Sequence, residues 1–340
     1  MMNSLQELYL QIFNSIDFEQ IRDHPNILIA ARFWDEKRYD AAKTCYRFMR
    51  AIDDLIDNHK AANKIISGNE QQQFSEDVDK WLKMIFNGSS DDPLQKELTL
   101  TISKFRIPAW PLEAFAKSMI YDIYHDGFES MKTFLEYSGG ASVAPAAIFV
   151  HLAGLRETDG VYLDPEFNVR EAATSCAIFS YLVHIIRDFQ KDQLNNLNYF
   201  ADDLILKNGL TRADLVQIAG GAKIKNGFRQ LINGYYIAAD EYRQKTYNCI
   251  NSIWPYLQPR YQLSLEIIFD LYLMVFERID IEKGNFTTAE LNPTPAESRL
   301  RVYETIINSR TIKIDENKDQ KEGVFKSFNL PPCPLYGPHT

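Results

Sequence analysis

Apolar residues in this chain recur at the 3.6-residue spacing of helices along most of its length, and period-two alternation is scarce. The pattern predicts helices near 4–15, 38–59, 70–87, 93–105, 110–125, 129–153, 169–193, 211–248, 254–283 and 296–308. Proline placement agrees, because proline is excluded from helix interiors. None of the 14 prolines falls between Pro25 and Pro93, or between Pro165 and Pro255. Breaks are expected at Asn87-Gly88-Ser89-Ser90 and at Asp159-Gly160, and no internal repeat or low-complexity block appears. The expectation is an all-α fold: one domain over residues 1–310, then a polar tail over 311–340 with four prolines in Pro331–Pro338. Many long helices around a central cavity would account for so large a helical domain.

Two of these helices carry clustered acids. Ala42–His59 reads AKTCYRFMRAIDDLIDNH, with Cys45, Phe48, Met49, Ile52, Leu55 and Ile56 on one stripe. Arg47, Arg50, Asp53, Asp54 and Asp57 fall on the other side. At about 100° per residue, Asp53 and Asp57 lie one turn apart and about 40° apart in azimuth. Hard divalent cations take oxygen ligands and commonly bridge one or two carboxylates to substrate phosphates, so this face suits a diphosphate held through Mg²⁺. An ordinary solvated helix face would carry the same residues.

The second cluster is more telling. Ala177–Leu194 reads AIFSYLVHIIRDFQKDQL and is apolar on nearly every side up to Ile186. Ala177, Tyr181, His184, Asp188 and Asp192 project as one stripe, so the acids continue a face that is apolar and aromatic further in. A surface helix is not usually built this way. Together the clusters suggest a charged mouth above an apolar shaft. The 18 tyrosines and 21 phenylalanines offer π faces able to stabilise a carbocation there.

Charge and composition narrow the chemistry. With 45% hydrophobic and 24% charged residues the chain is an ordinary globular one, and its net charge is −9. An acidic chain is a poor partner for nucleic acid, so none is expected, and a phosphorylated substrate needs metal ions or placed arginines. Cys45, Cys176, Cys249 and Cys333 lie far apart with no CxxC pair, which argues against zinc and against a secreted disulfide framework. The start, MMNSLQELYLQIF, lacks the basic residues and cleavage site of a signal peptide. The longest apolar stretches fall short of the roughly 20 residues a spanning helix needs. A cytoplasmic protein is expected, with contact at a membrane surface allowed by these features.

The ordered set of motifs resembles the squalene/phytoene synthase family, the head-to-head prenyl synthases. Tyr46-Arg47-Phe48-Met49-Arg50-Ala51-Ile52-Asp53-Asp54-Leu55-Ile56-Asp57 is similar to the first aspartate-rich motif. Met119-Ile120-Tyr121-Asp122 and Tyr137 precede a small-residue stretch, Gly139–Ala144, like the family's tyrosine-and-glycine segment. Ile185–Asp192 resembles the second acidic motif, and Tyr199–Leu204 with Asn208-Gly209-Leu210 the block after it. The resemblance implies an isoprenoid-synthase helical fold. It also implies Mg²⁺ bound by Asp53, Asp54, Asp57, Asp188 and Asp192, and diphosphate contacts from Arg47, Arg50, Arg187 and Asn26. Tyr46, Tyr137, Tyr199 and Tyr272 match aromatic positions near the reacting centre.

The implied reaction joins two prenyl diphosphates, C15 or C20, through a cyclopropylcarbinyl diphosphate, and ends in proton loss or hydride transfer from NADPH. No glycine-rich dinucleotide fingerprint is present. Three departures stand out. His184 occupies the place of a metal-coordinating asparagine and joins the candidate ligands. Leu197 replaces an arginine, and His24 and Asn26 stand where many members carry serines. The alternative is a family member that binds isoprenoid lipid without turnover, or that takes an altered substrate.

Overall fold

The computed structural model describes residues 4–19, 26–62, 66–87 and 92–312. His24, the Gly88–Ser90 break and the tail from residue 313 lie outside the described residues. The chain runs through α1 (Ser4–Asn14), α2 (Asn26–Ala31), α3 (Glu36–Ala62), α4 (Gly68–Asn87), α5 (Pro93–Lys104) and α6 (Ala109–Tyr124). It continues through α7 (Met131–Ser138), α8 (Ala144–Gly154), α9 (Val169–Arg187), α10 (Phe189–Leu194), α11 (Asp202–Lys207) and α12 (Arg212–Ala219). The last are α13 (Asn226–Ile253), α14 (Pro259–Phe276), α15 (Thr288–Leu291) and α16 (Pro295–Asn308). The all-α expectation holds apart from one small antiparallel hairpin, β1 (Arg156–Thr158) and β2 (Val161–Leu163).

Helix ends follow local chemistry. Asp92 caps α5 by accepting from Gln95 N–H, with Pro93 at the first helical position. Thr294 and Glu297 form a reciprocal capping box at α16. The predicted break at Asp159-Gly160 is the hairpin turn itself, with both residues at positive φ (52° and 77°).

Four predicted helices are interrupted; in 254–283 a 3₁₀ turn at Trp254–Tyr256 gives way to α14 at Pro259, which ends at Phe276. The segment 129–153 becomes α7, a π turn at Gly139–Val143, and α8. Pro145 has no N–H to offer the carbonyl four residues back, and the glycine pair tolerates the wider turn. The segment 169–193 breaks at Asp188, whose φ/ψ of −93°/4° lies between α9 and α10. The segment 211–248 breaks at Gly220-Gly221, where Gly221 takes a φ of 97°.

Two apolar clusters fill the interior. One gathers α1–α6, α8, α14 and α16; the other gathers α7 and α9–α15. Ala141, Ala146 and Tyr272 pack against both, so the π turn and α14 sit at the seam. Helix α9 lies along α13 and buries Ile178, Phe179, Leu182, Val183, Ile185 and Ile186. Each such side chain stabilises the fold by about 1.5–3 kcal/mol. At 19 residues α9 is long and apolar enough to cross a bilayer, yet half of that stretch is buried within this protein. It reads as a core helix.

Candidate active site

On α3 the predicted stripe faces inward: Cys45, Phe48, Met49, Ile52 and Ile56 are buried. The opposite face carries the acids. Arg50 donates to Asp53 at 2.8 Å and also pairs with Asp54. Arg50 acts on both Asp53 and Asp57, and Lys60 on Asp57, without offsetting their burial. Burial first, then repulsion from Asp57, pushes the Asp53 carboxyl up to about 7. Burial, then the nearby Asp122, pushes Asp57 up to about 6.

The second cluster is wired differently. Arg187 grips Asp188 at two points, Nε to Oδ1 at 2.7 Å and Nη2 to Oδ2 at 2.9 Å. His184 Nε2 meets the same Oδ2 at 2.6 Å. Burial opposes the charge on Asp188, but His184 and Arg187 outweigh it and hold the carboxyl well below the usual range. Burial, then the adjacent Arg187, hold the imidazole below its ordinary value against the pull of Asp188. For Asp192, Lys191 and Arg187 pull the same way but are outweighed. Burial, then Asp188 and Asp57, push it up to about 8.

That last influence joins the clusters: Asp57 on α3 is close enough to Asp192 on α10 to raise its carboxyl. His184 is deep enough for desolvation to dominate its imidazole, yet 44% of its side-chain surface is open to solvent. Asp53 combines the same properties at 31%. Deep surroundings with open surface require a concavity reaching in from outside.

Aromatic side chains line the inner end. Burial pushes the Tyr272 phenol on α14 up to about 12, with Arg187, Asp188 and Tyr46 among its neighbours. Tyr199 lies near Asp57, Tyr181, Asp122 and Asp192. Tyr137 and Tyr199 each sit 6.4 Å, centroid to centroid, from Tyr181. Tyr46, Tyr137, Tyr199 and Tyr272 therefore gather around the two acidic clusters. Arg47 does not: it points to α5, where Glu97 takes its guanidinium at 2.7 Å. A 60° step around α3 from Arg50 is enough to turn it away. Asn26 is the half-buried first residue of α2. Leu197 closes the C-terminal turn of α10, its N–H donating to the Asp192 carbonyl past Asn196 at a φ of 59°.

Sequence reasoning missed Asp122 and Lys60 as site residues. Asp122 on α6 is buried, accepts the Tyr137 hydroxyl at 2.5 Å and lies 3.8 Å from Lys60 Nζ. Its signal was present in the pattern. Leu112, Phe115, Ala116, Met119 and Ile123 form the buried face of α6, and Asp122 is the acid set among them.

Among the described residues no three metal-binding side chains close into a ligand shell. Asp53, Asp57 and Asp192 are each raised by burial and by a neighbouring carboxylate (Asp57, Asp122 and Asp188 in turn), the condition that a divalent cation relieves. An open set fits Mg²⁺, which keeps water and substrate oxygens in its shell.

Fold and site thus define a predominantly helical protein in which acids of α3 and α10 come near one another beside a group of tyrosines. The family model for squalene/phytoene synthase matches residues 22–302, and the chain belongs to that family. Among curated relatives it is 22% identical over 206 residues to phytoene synthase 2, chloroplastic, of Oryza sativa subsp. japonica, covering 60% of this chain and 48% of the relative. It is 23% identical over 176 residues to the Solanum lycopersicum protein of the same name, covering 50% and 52%. The chain thus spans about half the length of the curated relatives it matches. Its fold resembles that of a dehydrosqualene synthase solved with ligand, at TM-score 0.65 and 14% identity over 89% of this chain and 98% of that one. It also resembles squalene synthase HpnC from Alicyclobacillus acidocaldarius, at TM-score 0.57 and 15% identity over 76% and 93%.

Proposed function

We propose that this protein is a Mg²⁺-dependent prenyltransferase that joins two prenyl diphosphates, farnesyl or geranylgeranyl, head to head through a cyclopropyl intermediate. Family membership and a fold shared with squalene and dehydrosqualene synthases support the reaction class. The observation that carries the reading is that Asp57 on α3 lies near enough to Asp192 on α10 to raise its carboxyl. Mg²⁺, held by Asp53, Asp57 and Asp192 with Asp54, Asp188 and His184 beside them, would neutralise charge growing on the departing diphosphate.

The chain's own residues do the rest. Arg187, fixed by Asp188, places a guanidinium at the mouth, and Arg50 does so from α3. Tyr46, Tyr137, Tyr199 and Tyr272 turn aromatic surface toward the allylic cation left behind. The apolar depth beyond them keeps water from capturing it. A cytoplasmic location, with the hydrocarbon handed to a membrane surface, belongs to the same proposal, since such a product has no stable place in water.

The test is diphosphate release from farnesyl and geranylgeranyl diphosphate with and without Mg²⁺, followed by mass spectrometry of the hydrocarbon with and without NADPH. Mg²⁺-dependent release with a C30 or C40 product is expected. Absence of release from both substrates would contradict the proposal.

A further inference from the structure

A carboxylate on the buried face of a helix costs stability unless it has a partner, and Asp122 has an unusual one. Ala114, Ser118 and Asp122 stand at i, i+4 and i+8 on α6, and each holds a different part of residues 137–140. A methyl group at Gly140 would lie 2.1 Å from the Ala114 carbonyl oxygen and 2.2 Å from Ser118 Oγ, so the π turn presses directly on α6. Ser118 Oγ donates to the Tyr137 carbonyl at 2.8 Å. Asp122 Oδ2 accepts the Tyr137 hydroxyl at 2.5 Å. Backbone and side chain of one tyrosine are thereby fixed by successive turns of one helix.

We propose that the Ala114–Ser118–Asp122 stripe is a positioning device for Tyr137, with Asp122 drawing the phenol proton away so that the oxygen lone pairs face Tyr181 and the recess. The proposal rests on reading the recess as the seat of a carbocation. An O–H aimed inward would present its positive end to that cation, whereas lone pairs and the π face stabilise it. Lys60 supports the arrangement from outside: its Nζ lies 3.8 Å from Asp122 Oδ1 and donates to the His125 carbonyl at 2.8 Å. Burial keeps the Tyr137 phenol protonated, which fits its part as the donor. The π turn then has a purpose, since it sets the residue before it against α6 at a register that a regular helix would not give.

The experiment compares the full-length protein with Asp122→Leu, Asp122→Asn, Tyr137→Phe and the Asp122→Leu/Tyr137→Phe double variant. One readout needs no turnover: the Tyr137 phenol C–O stretch by ultraviolet resonance Raman, isolated by subtracting the matching Tyr137→Phe spectrum. The band should report a strong donor in the parent, a weaker one in Asp122→Asn and a non-donor in Asp122→Leu. A band unmoved by either substitution overturns the proposal. Should Asp122→Leu fail to fold, Asp122→Asn decides alone, because a neutral acceptor must weaken the bond. The second readout is diphosphate release. Asp122→Leu should lower kcat about 100-fold, the scale of a misplaced reacting group, with KM changed less than about threefold. Adding Tyr137→Phe should cost nothing more, and Asp122→Asn should recover about tenfold of the loss; losses that multiply overturn the proposal. If the parent protein releases no diphosphate, the functional reading fails, and the Raman band still decides the role of Asp122.

Discussion

The two acidic clusters use the same residue type in opposite electrostatic states. On α3, Asp53 and Asp57 repel each other and are pushed up to about 7 and 6. At the α9–α10 junction, Asp188 is held fully charged by Arg187 and His184, and only Asp192 is left raised. One side of the recess needs a cation from outside, and the other is already anchored by its own. Asp53, although Arg50 holds it, and Asp57 and Asp192 all stay raised, while Asp188 beside them is fixed by Arg187, an arrangement suited to taking in a metal and a diphosphate together.

The largest expected effect comes from the side that needs a cation. Asp57→Asn should lower diphosphate release by about a thousandfold, the scale of losing preorganised charge stabilisation at a reacting centre. Removing a repelling charge should also raise the melting temperature of the metal-free protein. Calorimetry beside the activity assay checks both, and a fall in both would erase the contrast.

Asp188→Ala should instead destabilise. Taking one partner from a buried ion pair costs about 3–5 kcal/mol, because the other charge is left behind. Denaturant unfolding should show this loss with Asp188→Ala and not with Asp57→Asn. Equal destabilisation by the two would mean that the clusters are not wired differently.

How much of this could be read along the chain depended on what each feature leaves in the sequence. Helices α5 and α16 were legible to within a residue or two because caps mark them: Asp92-Pro93, and Thr294-Pro295 with Glu297. The π turn was not, since a wider turn leaves the apolar spacing nearly unchanged. The break at Asp188 was hidden for the same reason, with apolar spacing running on into Phe189. Short α2, α11 and α15 carry too few turns to show a period, and the hairpin strands are three residues each. The acids themselves stood out. Their wiring did not, because His184 and Arg187 meet Asp188 through rotamers and a backbone bend that spacing does not encode. Asp122 was visible as an acid on an apolar stripe, but its partner Tyr137 lies on another helix.

A smaller effect follows from pH. Asp53, Asp57 and Asp192 have folded-state values raised above those of the unfolded chain. The stability they contribute is complete below about pH 4 and is lost as pH rises through about 6 to 8. Asp188 works in the other direction: its contribution is present above its unfolded value and is lost only in strong acid. Between pH 5 and 8 the metal-free melting temperature should therefore fall, and Mg²⁺ should restore it most at the upper end. A flat profile that ignores Mg²⁺ would contradict the assignment. The smallest effect is expected from His184→Asn, whose amide N–H can still reach Asp188. Diphosphate release should stay within about threefold, as one neutral hydrogen bond is worth about 1 kcal/mol. Complete loss would give His184 a role of its own.

The most direct test is a crystal structure with Mg²⁺ and a thiolo-diphosphate analogue of farnesyl diphosphate, which binds but does not ionise. The account predicts metal ions about 2.0–2.1 Å from carboxylate oxygens of both Asp57 and Asp192, with the diphosphate between them and the hydrocarbon running toward Tyr137 and Tyr272. Metal on one cluster alone, or an analogue seated outside the recess, would contradict it.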